Sequence, residues 1–114
     1  MANDFRGLIV WQKSMSLSVC VYAVCSRLPD HENYGLISQM KRCTVSIPSN
    51  IAEGSKRSTR KDFRQFIAIA KGSAAELETQ LILTENIYGV ADDTTSNLLK
   101  EVQKMLETLH RKLS

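Results

Sequence analysis

The apolar positions of this chain fall into four runs with helical spacing. In the first, Val10, Leu17, Val21, Val24 and Leu28 share one face, which Trp11, Met15, Tyr22 and Cys25 widen. Leu28-Pro29-Asp30 stops the run, because the residue before a proline is pushed out of the helical region. A second stripe reads Leu36, Met40, Cys43, Ile47 and Ile51, with Gly54 as its expected C-terminal cap and Pro48 inside it. In the third, the Thr59 hydroxyl is expected to cap the amide of Asp62, and the stripe continues through Phe63, Phe66, Ile67, Ala70, Ala74, Leu77, Leu81 and Tyr88 to Gly89. Gly72-Ser73-Ala74-Ala75 gives it a narrow waist that a neighbouring helix can approach closely. After Asp92-Asp93-Thr94-Thr95, the residues Leu98, Leu99, Val102, Met105, Leu106, Leu109 and Leu113 make a fourth stripe.

The pattern predicts helices over roughly 8–28, 33–55, 60–88 and 94–113, with no convincing strand alternation. Four amphipathic helices on short connections bury their stripes most simply as an antiparallel up-down-up-down four-helix bundle. The expected fold is therefore all-α, with residues 1–114 forming a single domain. A chain of 114 residues has room for one modest core. Aromatic residues make up only 6% against 43% hydrophobic overall, so that core is mostly aliphatic.

Cys20, Cys25 and Cys43 form neither a CxxC pair nor an even set, and all fall in helical patterns where a thiol acts as a small apolar group. They read as reduced and buried, which fits the cytoplasm. The apolar run from Met15 to Cys25 does not read as a signal-peptide core: Asp4 precedes it, serines interrupt it and no A-x-A site follows. Nothing approaches the ~20 apolar residues that cross a bilayer, so no membrane partner is expected.

Several local patterns together resemble a known family. Val10-Trp11-Gln12-Lys13, then Tyr34-Gly35-Leu36 with Gln39, then Val45-Ser46-Ile47-Pro48-Ser49-Asn50-Ile51-Ala52-Glu53-Gly54, and finally Gly72-Ser73 with Glu76-Leu77-Glu78-Thr79-Gln80-Leu81 occur in order. They resemble the four-helix-bundle proteins encoded within intervening sequences of bacterial 23S ribosomal RNA genes. The resemblance covers the first three helices; the fourth is similar in pattern only. It implies an antiparallel bundle assembling into a ring-shaped homopentamer, and nucleic acid as a partner.

Charge changes the picture once it is divided along the bundle. The formal net charge is only +3. Antiparallel helices, however, bring the start of helix one, the second junction and the chain end to one pole. There Arg6, Lys13, Lys56, Arg57, Arg60, Lys61, Arg64, Arg111 and Lys112 outnumber Asp4, Glu53, Asp62 and Glu107. At the other pole Arg27 meets Asp30, Glu32, Glu85, Asp92 and Asp93. Arg60, Lys61 and Arg64 lie in the first turns of helix three, where the macrodipole disfavours each cation by about 0.3–1 kcal/mol. A phosphate backbone offsets this through counterion release and bidentate arginine contacts. The candidate nucleic-acid contacts are therefore Lys56, Arg57, Arg60, Lys61, Arg64, Arg111 and Lys112; the plainer reading of the same run is a solvated rim. Phe63 and Phe66 belong to the core stripe, so phosphate contact with structured RNA or duplex DNA is expected rather than stacking of unpaired bases.

Pro48 cannot donate to the carbonyl of Thr44 and is expected to kink helix two at a cost of roughly 3 kcal/mol unless packing offsets it. The kink would aim Ser55, Lys56 and Arg57, while Ser46, Ser49 and Asn50 satisfy the loosened backbone. Asn50 with Glu53, and Glu76 with Gln80, are candidate polar contacts to a neighbouring subunit. A di-iron bundle site needs two Glu-x-x-His pairs, and the chain has one, Glu107 to His110. Its other histidine, His31, lies near the opposite pole, and no phosphate-binding glycine loop or nucleophile–base pair stands out. The sequence thus predicts a cytoplasmic, non-enzymatic homopentamer without metal or cofactor that binds structured RNA or duplex DNA. The alternative is an oligomeric scaffold or adaptor for a protein partner.

Overall fold

Each apolar run forms one helix, and the chemistry at its ends explains where it stops. The computed structural model describes residues 4–114, with α1 (Ile9–Cys25), α2 (Leu36–Ser55), α3 (Arg60–Tyr88), α4 (Asp93–Lys112) and two 3₁₀ turns, Phe5–Gly7 and Asp30–Glu32. No strand occurs among the described residues. α1 ends earlier than the periodicity suggests. Pro29 disfavours helical geometry at Leu28, and the chain tightens before it: the N–H groups of Arg27 and Leu28 bond the carbonyls of Val24 and Cys25 at 3.0 and 3.1 Å. Leu28 still reaches the core. α2 starts at Leu36, whose N–H is capped by the Glu32 carboxylate at 3.1 Å. Thr59 caps α3 by accepting from the Asp62 N–H at 3.1 Å, and Gly89 ends it in the left-handed region at φ 66°. Asp92 caps α4 through the Thr95 N–H at 2.9 Å.

The helices form a bundle in which α1 and α3 each pack against both α2 and α4. Leu17, Val21, Met40, Ile47, Ile51, Ile67, Leu77, Val102 and Leu106 are fully buried at its centre. Each such side chain contributes about 1.5–3 kcal/mol by leaving water. Met15 and Tyr22, expected on the core face of α1, are instead exposed; the Lys41 ammonium lies 4.7 Å from the Tyr22 ring centre. Cys25 is buried while Cys20 and Cys43 are half-buried, and all three are unpaired.

Two glycines depart from expectation. Gly54 is no cap: α2 runs past it to Ser55, and the glycine is buried against α3. A Cβ there would lie 2.6 Å from Phe66 Cβ and 2.9 Å from Phe63 Cδ1, so only hydrogen lets the two helices close at this point. Gly72 does not make the expected close approach. Nothing in the chain lies within 4 Å of where its Cβ would be, and its neighbours Ser73 and Ala74 face inward instead.

Pro48 sits buried in an uninterrupted α2. It leaves the Thr44 carbonyl without its helical donor, and the compensation comes from across the bundle. Ser18 of α1 donates its hydroxyl to the Thr44 carbonyl at 3.0 Å and accepts from the Thr44 hydroxyl at 3.1 Å. Neither Ser46, Ser49 nor Asn50 makes that bond; Asn50 donates to the Ser46 carbonyl at 2.8 Å.

If Ser18 replaces the missing helical donor, Ser18→Ala costs about 1–3 kcal/mol, the penalty for a buried carbonyl left unpaired. The cost shrinks in a Pro48→Ala background, where the residue 48 N–H is restored. Urea unfolding of the four chains measures the coupling; equal costs in both backgrounds would refute it.

At the far end, the Tyr88 hydroxyl donates to Glu32, and this bond, then that from the Leu36 N–H, hold the Glu32 carboxyl below its ordinary value of 4.5. A carboxylate with a lowered folded pKa contributes stability that is present above its unfolded value and lost as pH falls through the folded one. Tyr88→Phe therefore lowers stability at neutral pH and flattens its decline below about pH 4.5. Thermal melting across pH 3–7 reads this out.

Candidate nucleic-acid interface

Three segments that are distant in sequence meet at one end of the bundle. The close approach over Gly54 leaves only Lys56–Thr59 between α2 and α3, so the cations on either side of this junction stay near one another. α4 arrives at the same place, because the Arg60 guanidinium at the start of α3 donates to the backbone carbonyl of Lys112 in the last turn of α4. The Phe5–Gly7 turn joins them. Asp4 caps it by accepting from the Arg6 N–H at 3.0 Å, Gln12 of α1 donates to the Arg6 carbonyl at 2.8 Å, and the Lys56 ammonium stands 5.8 Å from the Phe5 ring centre.

The cations gathered here are not equivalent. Arg57 pairs with Glu53 at 2.8 Å and lies 4.7 Å from the Phe66 ring centre. Arg6 pairs with Asp4 at 3.3 Å. Lys13 is held by Glu101 of α4 at 3.2 Å and does not join the cluster. Lys56, Arg60, Lys61, Arg64, Arg111 and Lys112 enter no ion pair among the described residues. Arg60 has a structural use that sequence reasoning missed. The carbonyl end of a helix carries partial negative charge, so a guanidinium bonded to it is stabilising there even though the same group is disfavoured at its own helix start. Arg111 and Lys112, in the last turn of α4, gain from the same dipole.

Half-buried Arg64 has a buried Nε with no hydrogen-bond partner. Its charge is felt by half-buried His110 on α4, whose pKa is pushed down first by burial and then by Arg64 and Lys71. Lys71 itself bonds Glu107 at 2.8 Å, which holds that carboxyl below its ordinary range. Glu107 and His110 are thus tied into this cationic surface, while His31 contacts the Tyr88 hydroxyl at 3.0 Å in the Tyr88–Glu32 group at the far end. Among the described residues no three His, Cys, Asp or Glu side chains gather as metal ligands, and no helix is long and apolar enough to cross a membrane.

The polar residues singled out on α2 and α3 are used locally. Asn50 bonds the Ser46 carbonyl and hydroxyl, and Glu53 bonds Arg57 rather than Asn50. Glu76 borders a shallow groove with Gln39, Arg42, Cys43, Ser46 and Ser73. Gln80 turns to α2, approaching Gln39 Oε1 and Cys43 Sγ at 3.5 Å, and its own Oε1 is buried without a partner.

Arg60→Ala should lower stability by about 0.5–1 kcal/mol by freeing the end of α4, whereas Lys61→Ala should leave it within about 0.5 kcal/mol. Chemical denaturation of the two variants separates the structural cation from the free one. Arg64→Gln removes a charge that depresses His110, so NMR titration should find the imidazole pKa raised; an unchanged value would place Arg64 outside its field.

A family model described as 23S rRNA-intervening sequence protein matches residues 6–111, which takes in α1, α2, α3 and most of α4. No curated protein matches the chain.

Proposed function

The chain belongs to the 23S rRNA-intervening sequence protein family, and from that premise we propose that it is a cytoplasmic, non-enzymatic protein that grips phosphates of structured RNA or duplex DNA with its basic end. The observation that carries this reading is the convergence of cations from two junction-flanking turns and the end of α4 without matching carboxylates. Lys56, Lys61, Arg111 and Lys112 are exposed, and none of them is paired with a carboxylate among the described residues. Each one that neutralises a phosphate releases condensed counterions, and the arginines add bidentate contacts. The molecule measures 43 × 24 × 22 Å, and a duplex presents one charge per about 1.7 Å of axis. An end of that width runs along several phosphates.

Assembly is part of the proposal. Residue pairs between neighbouring helices rise along one and fall along the other, as in Lys71–Glu107 and Glu78–Gln103 or Met40–Thr84 and Ser46–Ser73. This supports the up-down-up-down order. Val19 is 72% exposed on α1, and Ile69 and Ile87 are 52% and 59% exposed on α3, apolar surface that a ring of five copies would cover. A ring would also repeat the basic end about one axis. The same exposed side chains, together with the fully exposed Tyr34 at 99%, favour the second reading of a scaffold for a protein partner.

A Lys61→Glu, Arg111→Glu double variant is expected to lose roughly 10- to 100-fold in affinity for a fluorescent duplex, and to melt close to the parent because the anion gained at the start of α3 offsets the cation lost from the end of α4. Unchanged affinity would move the function to the scaffold reading. Light scattering should give five times the 12.8 kDa chain mass, reduced by Val19→Glu; a monomeric parent would contradict the ring.

A further inference from the structure

A cleft of about 270 Å³ opens within the basic end, between the Phe5–Gly7 turn and the α2–α3 junction. We infer that it holds one unpaired nucleotide, at a strand end or bulge, with the base against Phe5, Leu8 and Phe63 and the phosphate on Arg57 and Arg60. The inference rests on the nucleic-acid reading above and adds a selectivity that phosphate contacts alone do not supply. Both guanidiniums are already aimed, Arg57 by Glu53 at 2.8 Å and Arg60 by the Lys112 carbonyl. Each uses one of its five N–H donors in these bonds, so several remain for an anion. Thr59 accepts from the Asp62 N–H, which leaves its hydroxyl hydrogen free to donate into the same side of the cleft.

The other side is chemically different. Phe5 is held edge-on by Trp11 at 5.2 Å between ring centres, and half-buried Phe63 and Leu8 continue the apolar wall. Asp4 completes the rim. Its carboxylate repels a phosphate but accepts from the ring N–H and amino groups of a base, so the two ends of the cleft orient a nucleotide one way round. The volume lies just below the roughly 300–1,000 Å³ typical of ligand pockets, enough for a single nucleotide. A base inside a duplex cannot enter without leaving its stack, so the cleft favours nucleotides that are already unpaired. Aromatic contact was not expected here from the sequence, because the helical stripe assigns Phe63 to the core and Phe5 lies outside every stripe.

The test is fluorescence anisotropy with two DNA duplexes carrying equal numbers of phosphates, one blunt and one ending in a single unpaired guanosine. The parent protein should bind the second about 10-fold more tightly. Phe5→Leu should bring the two affinities to within about 2-fold of each other, and Asp4→Asn, whose side-chain oxygen still accepts from the Arg6 N–H, should narrow the gap independently of the ring. Guanosine monophosphate added as competitor separates the two sources of the ligand: displacement of only the excess affinity means that a free nucleotide suffices, and no displacement means that the nucleotide must be tethered to a strand. Equal affinity for both duplexes, still lost in the Lys61→Glu, Arg111→Glu variant, would overturn the nucleotide cleft and leave phosphate binding standing. Binding of neither duplex would overturn both.

Discussion

The close approach of α2 and α3 over Gly54 is the constraint on which the working end of this protein depends. A glycine there lets Phe63 and Phe66 of α3 reach the backbone of α2. The chain can then reverse through Lys56–Thr59 alone. That short reversal concentrates cations that would otherwise spread over two helix ends. It also sets the start of α3 against the end of α4, where the Arg60 guanidinium meets the Lys112 carbonyl. The positive partial charge of one helix start and the negative partial charge of another helix end are thereby bridged by a single side chain. Of the remaining cations only Arg6 and Arg57 have a carboxylate partner among the described residues, and the function proposed here follows from that imbalance.

Inside the bundle the organising problem is polar rather than apolar. Leu, Ile, Val and Ala side chains fill the centre without difficulty, but α2 carries Pro48 among them and gives up a backbone bond. Ser18 and Thr44 form a pair across the α1–α2 contact that returns a donor to the abandoned carbonyl. Buried Ser73 of α3 likewise shares a hydrogen bond with Ser46 of α2 at 2.8 Å. Such bonds contribute modest net stability but fix how neighbouring helices slide and turn, because a shifted register leaves each group unpaired in the core.

Helix number and the long α3 were legible in the sequence because apolar spacing, the Thr59 cap and the Gly89 stop all agree. Gly54 was misread because local pattern cannot distinguish a glycine that turns the chain from one that admits a neighbour. Met15 and Tyr22 lie beside the apolar face of α1, and only the packing of α2 and α4 decides that they remain in water. At the candidate site the cations themselves were visible, but their partners were not. Arg57 with Glu53 was open to an i,i+4 reading, whereas Lys13 with Glu101 and Arg60 with Lys112 needed the tertiary fold. Ser18 left only a weak trace, a serine within an apolar helical run. Phe5 left none, since its place at the basic end depends on the turn that precedes α1.

Unpaired cations that engage phosphates make binding depend on salt, so the salt dependence of affinity is the measurement to make. Affinity for a blunt duplex, measured from about 50 to 200 mM monovalent salt, should fall along a straight log–log line with a slope of roughly −4 or steeper, near −0.9 for each phosphate neutralised. A slope near zero, or no binding at the lowest salt, would contradict the claim and return the charge cluster to a solvated rim.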